Sequence, residues 1–395
     1  MNLMLLATRD VRANPGQAFL AAALSALAVA MLVVLLAFTG QMTDRLQRDA
    51  RDIDLVVGAK GSPLQLILAG VYHLDVPPGN IPLQEVEVLA HDPLVRRLIP
   101  IALGDSFRGF RIVGAPTAYG ELYQATLATG HWYADPLEAV LGAEVAARTG
   151  LTVEKTFAGS HGLTAGGHVH ADMAYTVTGV LQPTGTVLDR LILTPVESVW
   201  WVHADHTGGE ETFDHPEVTL ALIQYRSPLA AVSLPRRINA QTALMAASPP
   251  LEIARLTQLM GVGQEVLQGF AWLLFVAAGG ALLAGLLANL RHRRYELAIF
   301  RLLGASRGQL WAGVMIEAWL LATLGAVAGL LLGHGWVYGL GWWLAMQQQP
   351  VLDGTRFMAW EGWLVVLAWG IAWLAAAWPA WRASRLDVAR VLAER

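Results

Sequence analysis

The chain has 395 residues, of which 55% are hydrophobic and only 15% charged, with a mean hydropathy of +0.45. That balance is too apolar and too charge-poor for an ordinary soluble domain. A net charge of -4 without a dense basic run offers no footprint for nucleic acid, and the absence of cysteine excludes thiol catalysis and thiolate metal sites.

Residues 1–16 read as an amphipathic interfacial helix, with Leu3, Leu5, Leu6 and Val11 set against Arg9, Asp10 and Arg12. No charged side chain then occurs until Asp44, and this interval holds the first span, 17–40. A bilayer core needs roughly 20 apolar residues per helix. The run is longer than the apolar core of a secretory signal, about 7 to 15 residues, so it reads as an uncleaved anchor.

Residues 41–265 form a large outer domain of α+β pattern. Strand-like runs fall at 54–57, 98–102, 109–113, 175–181, 190–194 and 218–225, and helix-like runs at 81–90, 137–149 and 229–240. Turn signals such as Pro77-Pro78-Gly79-Asn80 separate them. Asp44 to Asp52 and Leu251 to Glu265 read as helical stalks that continue the neighbouring spans. The segment Gly58-Ala-Lys60-Gly-Ser62 lacks the G-x-x-x-x-G-K-[ST] order of a phosphate-binding loop and reads as a turn after a strand.

Within this domain His161, His168 and His170 lie in a glycine-rich stretch. With His168 and His170 on one strand face, a turn through Gly166-Gly167 brings His161 near. Three imidazoles and a carboxylate such as Asp172 suit zinc, or copper. The competing reading is a set of polar loop histidines at a domain edge.

The remaining charge-free intervals place spans at 266–290, 310–333 and 363–381, joined by a basic loop at 291–309 and a short connection at 334–362, with a tail at 382–395. Arginines gather before span one, after span two and after span four, which puts those segments and both termini in the cytoplasm and the large domain outside. In the basic loop, Tyr295, Ile299, Leu302 and Leu303 recur at helical spacing among Arg291, Arg293, Arg294, Arg301 and Arg307, and Gly304 stops the helix. Two readings stand: a docking element for a soluble partner, or a loop that only sets topology.

Inside span three, Glu317 is an intramembrane carboxylate that demands pairing or water. Gly325, Gly329 and Gly333, spaced by four, permit close approach of another span, with a second copy of the chain as one candidate partner. Ala22, Ser25, Ala26 and Ala30 give span one a comparable small face.

One span, a large extracytoplasmic domain, three further spans, the loop Arg-Tyr-Glu-Leu-Ala-Ile-Phe-Arg-Leu-Leu-Gly-Ala-Ser and the closing Pro379-Ala-Trp-Arg-Ala-Ser-Arg385 together resemble the MacB/FtsX/Lol-type ABC transporter permeases. The resemblance implies an FtsX-like permease with a MacB-like periplasmic domain of porter-like and β-rich lobes, in a bacterial inner membrane. Glu296, Arg301, Gly304 and Ala305 match the coupling-helix signature. Glu317 resembles an acidic residue of the family's third span, which favours a packing or gating hydrogen bond over proton transport. The family also implies a non-catalytic transport subunit, a homodimer, and a separate cytoplasmic ATPase that holds ATP and Mg. That ATPase drives a periplasmic client or accessory protein by mechanotransmission. A membrane-anchored metal sensor and a metallohydrolase remain as readings of another class.

Overall fold

The computed structural model describes residues 3–13, 15–160, 169–203, 216–346 and 352–386. They divide into two compact units, one of residues 1–42 and 259–395, the other of 43–258.

The chain opens with α1 (Leu3–Ala13) and α2 (Pro15–Asp49). The outer unit continues with β1 (Leu55–Ala59), α3 (Pro63–Gly70), β2 (Ile81–Pro82), α4 (Leu83–Ala90), β3 (Val95–Phe107), β4 (Phe110–Gly114) and α5 (Ala118–Leu122). Then come β5 (Leu127–Gly130), β6 (Glu138–Leu141), α6 (Ala143–Thr149), β7 (Thr156–Ser160), β8 (Val169–Leu181), a 3-10 turn at Val187–Arg190 and β9 (Leu191–Thr194). The unit ends with α7 (Val196–His203), β10 (Glu217–Val218), β11 (Leu220–Tyr225), α8 (Pro228–Gln241) and β12 (Leu244–Ala247). Four further helices follow: α9 (Pro249–His292), α10 (Arg294–Leu302), α11 (Arg307–Met346) and α12 (Glu361–Ser384).

The outer unit is built on a mixed sheet of order β12-β1-β11-β3-β4-β9-β6-β8-β5, with β7 against β3 and β8. Its pairs are antiparallel except β4 with β9 and β6 with β8. The long strand β3 serves two ladders, pairing β11 through its first half and β4 through its second. Alternate residues of the central strands feed two cores. Val56, Ile99 and Leu222 join Leu66 and Ile67 of α3 on one face. Leu55, Val57 and Ile223 join Val86 of α4 and Leu234 of α8 on the other. This period-two division is what a sheet covered on both sides requires. Farther along, Phe157 stacks on Tyr175 at 5.4 Å in a third core with Val145 of α6 and Val202 of α7.

Local chemistry explains several element boundaries. Ser62 caps α3 by accepting the N–H of Gln65, and Pro63 begins the helix, so the Gly58–Ser62 segment is the link from β1 into α3. Two sequence expectations are corrected here. The run 137–149 is β6 followed by α6, because Gly142 sits extended where a Cβ would lie 2.2 Å from the carbonyl oxygen of Leu188. The run 81–90 is helical only from Leu83, because Ile81 and Pro82 pair with β10.

In the membrane unit, four helices among the described residues are long and apolar enough to cross a bilayer: α2, α9, α11 and α12. α2 runs on to Asp49 and α9 begins at Pro249, each continuing past its apolar stretch. α11 does not stop at residue 333 but reaches Met346, so the connection expected at 334–362 is helical through its first part. Gly333 and Gly341 are buried inside the helix, Gly333 against the Val33 side chain and Gly341 against the Leu352 backbone, and are not helix ends.

Candidate functional site

The basic loop folds as a short helix, α10, isolated between α9 and α11. Ala298 is fully buried and seats the helix on its base. Gly304 closes it with a φ of +95°, the left-handed conformation that only glycine adopts at little cost. Ser306 then starts α11 through a reciprocal cap: Gln309 N–H donates to its Oγ at 3.2 Å, and its own N–H donates to Gln309 Oε1 at 2.8 Å. This S-x-x-Q signal is readable in the sequence and marks where the loop ends.

The predicted loop residues divide by role. Tyr295, Leu302 and Leu303 are exposed at 41%, 64% and 79%, which leaves an exposed apolar edge. Ile299 is half-buried. Glu296 is exposed and paired with Arg293, whose Nε donates to Oε2 at 3.0 Å. Arg301 instead turns back on its own chain and donates to the carbonyl of Ala305 at 2.8 Å. Its guanidinium holds the end of α10 in place, satisfying a carbonyl just past the helix.

Deeper in the same unit, Nδ2 of Asn289 on α9 donates to Oε1 of Glu317 on α11 at 3.2 Å, with both side chains buried. A cavity of about 20 Å³ beside them is lined also by Gln17 of α2. That volume has room for about one water. The intramembrane carboxylate is thus tied to a neighbouring helix, which lowers the cost of its burial.

The glycine stripe of α11 meets the small face of α2. A Cβ on Gly325 would lie 2.8 Å from Ser25 Cβ, one on Gly329 2.6 Å from the Ala26 oxygen, and one on Gly333 2.7 Å from Val33 Cβ. The two helices therefore approach backbone to backbone within one chain. At the far end of this unit, Gln41 and Asp353 exchange two hydrogen bonds of 2.8 Å each. His334 bonds the carbonyl of Gly354 and the carboxylate of Glu361 there. Sequence reading passed over His334 and Glu361, since a lone histidine between apolar residues carries no periodic signal.

In the outer unit the tip of α2 is clamped. Tyr72 Oη donates to the Leu46 carbonyl at 3.1 Å, Tyr123 Oη to the Asp49 carbonyl at 2.6 Å, and Val187 N–H to Asp49 Oδ1 at 2.9 Å. These bonds satisfy carbonyls at a helix end that has run out of intrahelical donors. Asp49 lies beyond the apolar stretch; burial pushes its carboxyl up to about 6, opposed by the Val187 N–H and by Arg45, Arg190 and Arg48. In the same unit, burial and the Arg111 and Arg190 cations push His73 down to about 3. Nε2 of His73 lies 3.0 Å from Tyr119 Oη.

Of the proposed metal ligands, His161 and His168 lie outside the described residues, and His170 is placed only as part of β8. Among the described residues no group of three metal-ligating side chains converges.

A four-span protein with an α/β domain between its first two spans, and a short exposed helix between the second and third, has the build of a membrane-embedded transport subunit. The family described as MacB-like periplasmic core domain matches residues 18–243, and that described as FtsX-like permease C-terminal matches residues 269–388. The chain therefore belongs to the MacB/FtsX-type ABC transporter permeases, inner-membrane proteins that work with a cytoplasmic ABC ATPase. Among solved structures it is similar to the periplasmic region of MacB from Actinobacillus actinomycetemcomitans, at 12% identity over 52% of this chain and 95% of that one, TM-score 0.35. It is also similar to the extracellular domain of the noncanonic ABC-type transporter YknZ from Gram-positive bacteria, at 13% identity over 50% and 99%, TM-score 0.31. At these scores the two likenesses add nothing to the family match. No curated protein matches the sequence.

Proposed function

We propose that this chain is the non-catalytic permease half of a transporter in which a separate ATPase, binding ATP and Mg, pushes on α10 and so works the periplasmic domain by mechanotransmission. The exposed apolar edge of Tyr295, Leu302 and Leu303 carries the reading. A small helix anchored by one alanine, closed by a glycine and braced by Arg301 holds that edge rigidly. A soluble partner that buried it would gain apolar contact and could transmit force without bending the loop. The firm clamping of the α2 tip by Tyr72, Tyr123 and Val187 supports the same reading, because force carried along a helix needs a fixed end in the domain it moves. On this reading α10 and both termini face the cytoplasm, the outer unit faces the periplasm, and two copies of the chain flank a pair of ATPase subunits.

The test is co-purification of the full chain with its candidate ABC ATPase, followed by ATP hydrolysis in lipid nanodiscs. Wild type is expected to hold the ATPase in a stoichiometric complex. A Leu302→Glu, Leu303→Glu double variant, altered only at exposed positions, is expected to lose the complex or its coupled turnover. Equal capture and turnover by this variant would remove α10 as the coupling element.

A further inference from the structure

We propose that the groove between α4 and α7 is a binding site for a lipophilic organic cation. The groove lies wholly within the outer unit and encloses about 460 Å³. That falls within the range of roughly 300–1,000 Å³ found for small-molecule sites. Val86 and Glu87 of α4 form one wall, Glu197 and Trp200 of α7 the other, and Leu98 of β3 and Tyr133 lie between them.

Two observations select the charge of the occupant. Among the described residues, every charged residue that lines the groove is acidic, one on each wall, and neither Glu87 nor Glu197 has a side-chain hydrogen bond or ion pair. The two aromatic residues have their polar ends engaged elsewhere: Tyr133 Oη donates to the Ala115 carbonyl at 2.7 Å, and Trp200 Nε1 to the Glu217 carbonyl at 2.6 Å. What they present to the groove is ring surface, whose electron-rich faces attract cations. An apolar body buried against Val86 and Leu98, with a positive group between two carboxylates and two rings, satisfies the whole lining. An anion of the same shape meets repulsion from both walls.

The site stands apart from the coupling reading, because it requires no ATPase. It is tested by equilibrium binding of rhodamine 6G, a lipophilic cation, to the full chain in nanodiscs, with empty nanodiscs as the partition blank. Saturable binding is expected, falling as salt is raised. Glu87→Gln with Glu197→Gln should weaken it about ten-fold. Ala90→Trp, which fills the groove without changing its charge, should abolish it. Sulforhodamine G, which carries two sulfonates and the same ethylamino-substituted xanthene, should bind at least about ten-fold more weakly. Undiminished binding by either variant, equal binding of the anion, or no saturable binding to wild type would each overturn the proposal.

Discussion

Nε2 of His334, on α11, lies 3.0 Å from Oε2 of Glu361, the first residue of α12, and both side chains are buried. The remaining polar atoms are also engaged. His334 Nδ1 bonds the Gly354 carbonyl at 2.8 Å, and Glu361 Oε1 accepts the N–H of Met358 at 3.1 Å. Phe357 packs on the imidazole with ring centres 4.0 Å apart. Two helices and the segment between them are fastened at one point.

Removing the imidazole should therefore cost more than its contact area. His334→Ala strips Glu361 Oε2 of its partner in a buried place, a loss of about 1–3 kcal/mol. Thermal unfolding of the full chain in nanodiscs should show a drop of several degrees, with protease cleavage appearing in 352–360. An unchanged melting point would mean that the pair is ornamental.

The glycines of α11 should differ sharply although they share one helix. Gly329→Ala drives a Cβ to 2.6 Å from the Ala26 oxygen and from Val29 Cβ, so α2 and α11 must separate. Overpacking of this kind costs about 1–3 kcal/mol. At Gly335 a Cβ meets nothing within 4 Å, and Gly335→Ala should be neutral or slightly stabilising, since alanine favours the helix. Folded yield and melting point of the two variants, side by side, decide the matter; similar behaviour would contradict the close α2–α11 approach.

His73 and Asp49, each buried, make the outer unit respond to acid in two opposed ways. His73, held down to about 3 from 6.5, stays neutral in the folded chain while the unfolded chain takes up a proton. Its contribution is therefore complete above pH 6.5 and is lost as pH falls towards 3. Asp49, raised to about 6 from 3.8, works the other way: its contribution is complete below pH 3.8 and is lost as pH rises through 6. His73→Asn should isolate one effect, because asparagine tolerates the backbone φ of +53° found there and does not titrate. Relative to wild type the variant should gain stability as pH drops from 6.5, by at most about 1.4 kcal/mol per pH unit. Chemical unfolding at pH 7 and pH 4.5 reads the difference; a gap independent of pH would show that His73 does not titrate between the two states.

Much of the basic loop was legible because its signals are local. A helical apolar stripe, a glycine stop and a serine cap act within a few residues, so Tyr295, Leu302, Leu303 and Gly304 stand where their spacing puts them. For Arg301, only the fold shows that the guanidinium donates to the Ala305 carbonyl. The sequence reading placed a connection from residue 334, yet α11 runs on to Met346 through Gly341, where the Leu352 backbone passes 2.1 Å from where a Cβ would be.

By itself the sequence determined the four apolar stretches, the position of the large domain between the first two, and the short basic helix between the second and third. These follow from composition and period, which act on each segment alone: lipid rejects charge, and a helix repeats its faces every few residues. Tertiary structure decided which small faces meet, which buried polar groups pair, and where two helices leave a sheet face open. The partners Gly329 and Ala26, and His334 and Glu361, are far apart or unmarked along the chain. Their meeting depends on close packing of surfaces from distant segments, a property that no local pattern carries.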